Sequence, residues 1–130
     1  MTRLALLTCV AALLSTGCAT DRKKIDDANE AARSWAATVK VITEQWAQAR
    51  VSLRFTRTTL NTARTRLSQN AESIRSIDPP SAARIDRLKD AIDPVLDAVA
   101  RNEPARAREY GAALTVVVEP LPVAAVARPQ

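Results

Sequence analysis

From Ile25 onward the apolar residues recur in alternating steps of three and four. They run Ile25, Ala28, Ala32, Trp35, Val39, Ile42, Trp46, Ala49 and Leu53, then Leu60, Ala63, Leu67, Ile74 and Ile77. Thr56 and Asn70 interrupt the series. A period of 3.5 sustained over about seven heptads predicts a helix with a narrow, coiled-coil-like seam. Asp21 suits the start of that helix, and no strong breaker follows until Asp78-Pro79-Pro80. Unbroken, it would be about 80 Å long. The threonines between Thr56 and Thr65 lower helix propensity locally. Trp35 and Trp46 fall on the seam and are expected as core packing rather than as a ligand cage. Val51 and Phe55 fall on the opposite face, as a place for a third helix or a partner chain.

The same spacing resumes through Ile85, Leu88, Ile92, Val95 and Val99, and predicts a second helix. Pro94 lies inside it, so a kink or a restart is expected there. Asn102-Glu103-Pro104 marks a turn, and Ala107, Tyr110, Leu114 and Val117 give a short third helix ended by Glu119-Pro120. Short turns favour antiparallel neighbours. The expected fold is all-α: a long coiled-coil-like helix folded against one or two shorter antiparallel helices, as a small bundle or a hairpin. A three-helix bundle on the C-terminal half of the long helix is preferred; it leaves the Trp35 and Trp46 seam poorly covered and open to oligomerisation or a partner helix. The tail 120–130 is Pro-rich and expected to be extended or disordered.

The first residues follow a different pattern. Met1-Thr2-Arg3 is a short positive start, Leu4 to Leu14 is an apolar run, and Ser15-Thr16-Gly17-Cys18 supplies small residues ending in cysteine. That order describes a secretory signal, and the run is shorter than the roughly 20 residues a transmembrane helix needs. Leu14-Ser15-Thr16-Gly17-Cys18 resembles the lipobox of bacterial lipoproteins, with Ser15 where that family usually has Leu. The resemblance implies lipidation of Cys18, cleavage between Gly17 and Cys18, and a membrane anchor of acyl chains such as palmitate. It divides the chain into a removed signal peptide (1–17), a lipidated start and short linker (18–21), a helical domain (22–119) and the tail (120–130). The alternative is an ordinary secretory signal that leaves Cys18 as a free thiol. In lipoproteins of this type Asp after the cysteine favours the inner membrane. Ala19 therefore implies the outer membrane of the cell envelope, facing the periplasm, in a Gram-negative source. Cys9 would leave with the signal, so the mature chain could form no internal disulfide.

Composition supports the helical reading and narrows the chemistry. The chain has 130 residues, with 2 Gly, 3% aromatics and no His. Small straight-chain residues favour helix, and the lack of histidine removes the commonest general base and metal ligand. No Cys/His cluster offers a metal site, no Gly-rich loop cradles phosphate, and no serine has a histidine to activate it. No catalytic residue, metal or cofactor is expected, and the chain is not read as an enzyme.

Formal net charge is +5. Arg50, Arg54, Arg57 and Arg64 step along one flank of the seam, with no acid between Arg50 and Ala71. Asp86, Asp90, Asp93 and Asp97 make an acidic stripe on the second helix. The bland reading of both is a solvated face. Otherwise they steer an antiparallel pairing, or the arginines meet an acidic partner. Nucleic acid is not expected, given the export signal.

The functional expectation is a membrane-anchored, periplasm-facing lipoprotein acting as a helical protein-interaction or structural envelope module. Its partners would be membrane lipid through Cys18, and a second copy or a helical protein through Trp35, Trp46 and Phe55. The plan looks broadly similar to small structural envelope lipoproteins of the murein-lipoprotein type, although Arg128-Pro129-Gln130 replaces their wall-linked terminal lysine. The alternatives are an immunity or inhibitor lipoprotein acting against a toxin or phage, and a binder of lipids or small amphiphiles.

Overall fold

A computed structural model describes the backbone of residues 2–118 and the side chains of residues 19–118. The described residues form four helices: α1 (Thr2–Ala47), α2 (Leu53–Ile74), α3 (Pro79–Ala100) and α4 (Pro104–Val118). The all-α bundle expected from the spacing is present, but the stretch expected as one helix up to Asp78 is two.

The break lies at 48–52, and backbone hydrogen bonds make it. The Ala49 N–H donates to the Trp46 carbonyl at 2.9 Å, and the Arg50 N–H donates to the Gln45 carbonyl at 2.8 Å. Those two bonds form a Schellman closure, which places its C′ residue in the left-handed region. That residue is Ala49, at φ 57. Ser52 then caps α2: its side chain accepts from the Phe55 N–H at 3.1 Å. Helix α2 therefore reverses along α1 instead of prolonging it. Ala49 and Leu53, which continue the seam on paper, are both exposed.

The other turns follow the sequence more closely. Asp78 caps α3 by accepting from the Ser81 N–H and from its hydroxyl, with Pro79 and Pro80 in the first turn. Asn102, at φ 56, closes α3 with the same pair of bonds: its N–H donates to Val99, and the Glu103 N–H donates to Ala98. Asn is among the few side chains that tolerate that conformation well.

Helix α3 continues through Pro94 without a restart. Pro94 and Asp90, whose carbonyl the ring leaves unpaired, are both exposed, so water can satisfy that carbonyl. Ile92 and Val95 on the opposite side are fully buried and hold the segment to the core. At the other end of the chain, α1 passes through Asp21 and the expected linker at 18–21. In the uncut chain the apolar run before them is itself helix-forming, so no cap is needed there.

Helix α1 packs against α2 and α4, α3 packs against the same two, and α1 meets α3 across the middle. Helices α2 and α4 lie diagonally opposite. This is an up-down-up-down four-helix bundle, where three helices were expected. One pole carries the α1–α2 and α3–α4 turns. The other carries the Cys18 side of α1, the α2–α3 turn and the end of α4.

The core runs the length of the bundle: Val39 on α1, Leu60, Leu67 and Ile74 on α2, Ile85, Leu88 and Ile92 on α3, and Leu114 on α4 are at most 1% exposed. Burying each such side chain stabilises the fold by about 1.5–3 kcal/mol. Ala28, Ala32 and Ala36 keep the buried side of α1 slim. Helices α1 and α4 come close at Gly111, where an added Cβ would lie 3.3 Å from the Thr43 Cβ and Oγ1.

Candidate functional site

The proposed cleavage and lipidation residues, Gly17 and Cys18, lie on the α1 backbone, and their side chains fall outside those described. The tail from Pro120 also lies outside the described residues. Immediately after Cys18, residues 19–24 are all exposed, and the first packed apolar residue is Ile25. About two turns of polar helix thus separate Cys18 from the bundle. Among the described residues no helix is long and apolar enough to cross a membrane.

Trp35 and Trp46 are half-buried and pack against the core. Their expected poor cover is corrected by the break at 48–52, which folds α2 back along α1. Phe55 is 55% exposed and Leu53 45%. Val51, expected on the far face with Phe55, instead packs against the core from the turn.

The arginines divide into two groups. Arg64 Nε approaches Asp93 Oδ1 at 2.9 Å as an ion pair, out of line for a hydrogen bond. Arg75 donates to Asp86 on α3 at 2.9 Å and to Glu72 at 3.0 Å. The hydrogen bond to Asp86, then that to Glu72, raise the Arg75 pKa above its ordinary value. The pairings 64–93 and 75–86 run in opposite directions along the chain. Of the Arg run only Arg64 therefore meets the Asp stripe across the antiparallel α2–α3 pair, joined there by Arg75.

Arg50, Arg54 and Arg57 form the second group. They are exposed, on the turn and the first turns of α2, and have no ion pair or hydrogen bond through their side chains to any described residue. No acid occupies the first turn of α2, so these cations sit at the positive end of the helix dipole, an unfavourable position. The structure thus gathers Arg50, Arg54, Arg57, Leu53 and Phe55 at one pole, with Arg64 further down and already engaged.

Open hollows mark the surface of the described residues. One, of about 490 Å³, is a mainly apolar groove between α1 and α4 over Ala37, Val41 and Ala112, bordered by the Glu44–Arg108 pair at 2.9 Å. Two others flank the outer face of α2, which is made of Thr58, Asn61, Thr62, Thr65, Ser68 and Gln69. No serine or threonine hydroxyl lining them is hydrogen-bonded to a lysine or a carboxylate among the described residues. Among the described residues no group of three His, Cys, Asp or Glu could hold a metal ion.

One buried polar group has no counterpart in the spacing argument. Asn29 is 1% exposed on α1, and neither its amide nitrogen nor its oxygen has a hydrogen-bond partner. It lies beside the seam residue Ala28, and the apolar series gives no sign of it. Comparison of the chain with protein-family models, curated proteins and solved structures finds no match.

Proposed function

We propose that this chain is a lipoprotein held on the periplasm-facing surface of a bacterial outer membrane through Cys18, and that its bundle serves protein contact rather than catalysis. The carrying observation is the segment Arg3 to Cys18: a positive start, an apolar run and a small-residue stop at a cysteine. The stalk of exposed residues after Cys18 supports it, since a lipid-tethered bundle needs polar chain between the acyl groups and its first packed turn. Several acyl chains make such anchoring stable where one is marginal. The protein-contact part rests on the exposed Arg50, Arg54, Arg57 and Phe55.

Of the alternatives, an immunity or inhibitor role uses the same surface and differs only in the partner. A lipid-binding role is disfavoured by the filled interior, since the core residues of all four helices close on one another. Membrane fractionation tests the reading: the wild-type protein should sediment with outer membranes. Cys18→Ser should leave it uncut or free of outer membranes. Wild-type protein recovered entirely in the soluble fraction would overturn the anchor.

A further inference from the structure

Resting on the anchored, protein-contact reading, we infer that the distal pole of the bundle, made by Arg50, Leu53, Arg54, Phe55 and Arg57, is a docking face for an acidic protein. Three observations carry this.

The first is position. Helix α1 runs about 33 Å from Ile25 to its end at Ala47. The turn that follows therefore lies at the opposite end of the bundle from Cys18.

The second is unmet charge. The nearby acids of the pole are already engaged: Glu44 with Arg108 at 2.9 Å, Asp97 with Arg101 at 3.2 Å and Glu103 with Arg106 at 3.3 Å. Further down the α2–α3 interface Asp93 is held by Arg64 at 2.9 Å. Glu109 belongs to α4, diagonally across the bundle from α2. Arg50, Arg54 and Arg57 thus form a positive field with no counter-ion among the described residues, complementary to a carboxylate-bearing surface.

The third is the aromatic within that field. Among the described residues Phe55 is one of the large hydrophobic side chains left exposed, and it follows Arg54 directly. Leu53 is exposed as well, on the other flank of the helix end. A polyanion needs only the charges. An aromatic and arginines together are the residue types that carry protein–protein binding energy, with the ring filling a pocket and the guanidinium groups pairing around it.

The test is site-specific photocrosslinking in cells producing the full chain, with benzoylphenylalanine replacing Phe55 and, as controls, Thr62 or Val116. The expected result is a defined protein adduct from position 55 only. Introducing Arg50→Glu, Arg54→Glu and Arg57→Glu should weaken it about tenfold or more. Changing the acids of the captured protein's contact surface to Lys should restore it. A circular dichroism melt near that of the parent shows that the triple variant folds. If it unfolds, the triple Arg→Gln variant carries the same prediction. No adduct at position 55, an adduct only with lipid or a second copy, or one indifferent to the arginines would each overturn the proposal. Fractionation of the parent reads the anchor separately, so loss of the anchored reading and loss of the docking face are distinguishable.

Discussion

At the residue scale, Asn29, Gly111 and Arg75 act in three different ways. Asn29 leaves a donor and an acceptor unpaired inside the bundle. A buried polar group without a partner costs about 1–3 kcal/mol. Asn29→Leu, of similar size and able to pack, should therefore raise stability by about that much in urea titration; a fall would show that the amide is satisfied in solution. Gly111 behaves oppositely. Its hydrogen faces Thr43, whose hydroxyl donates to the Val39 carbonyl within the buried part of α1. Gly111→Val should destabilise by about 1–3 kcal/mol through overpacking, and Thr43→Ala should recover part of that loss. Equal destabilisation with or without Thr43→Ala would contradict the contact. For Arg75 the pKa is raised on folding, so its contribution is fully present at neutral pH and is lost only as pH rises through strong alkali. Between exposed partners that contribution is small.

At the element scale, the turn between α1 and α2 shows where spacing stops being informative. Steps of three and four pass through Ala49 and Leu53 without a gap, because the register on either side of the break happens to agree. A helix end with the usual Gly at C′ would have announced itself; here Ala49 adopts the left-handed conformation. Ser52 was the one legible sign, and as a cap followed by Phe55 in place of an acid it is a weak one. The α2–α3 turn was readable because Asp78-Pro79-Pro80 combines a cap with two prolines. Ala49→Gly should remove steric strain and stabilise the fold by about 0.5–1 kcal/mol after the greater freedom of glycine in the unfolded chain is counted, raising the melting temperature. A lower melting temperature would argue against the left-handed turn. At the start of α2, Arg54→Glu should leave the melting temperature level or slightly raised, because it matches the helix dipole, while weakening the docking face.

At the scale of the whole molecule, the bundle and its candidate site were legible to different extents. Helical class, the seam residues Val39, Leu60 and Leu67, and the α3 core could be read because burial imposes their period. The charge runs were visible too, but not their partition. Folding α2 against α3 satisfies Arg64 and Arg75 and leaves Arg50, Arg54 and Arg57 beyond the acidic stripe. That division depends on where the chain turns, which the seam conceals. Trp35 and Trp46 pack against the core, so the exposed aromatics among the described residues are Phe55 and Tyr110. The result is a rod with the proposed anchor segment at one end and the arginine-aromatic face at the other. The anchor is the premise for that polarity, and the most direct test is mass spectrometry of the N-terminal peptide of the membrane-purified protein. The account predicts a peptide beginning at Cys18 and carrying a diacylglycerol on its thiol, with further acylation at its amine. An unmodified Cys18, or an N-terminus elsewhere in the chain, would contradict it.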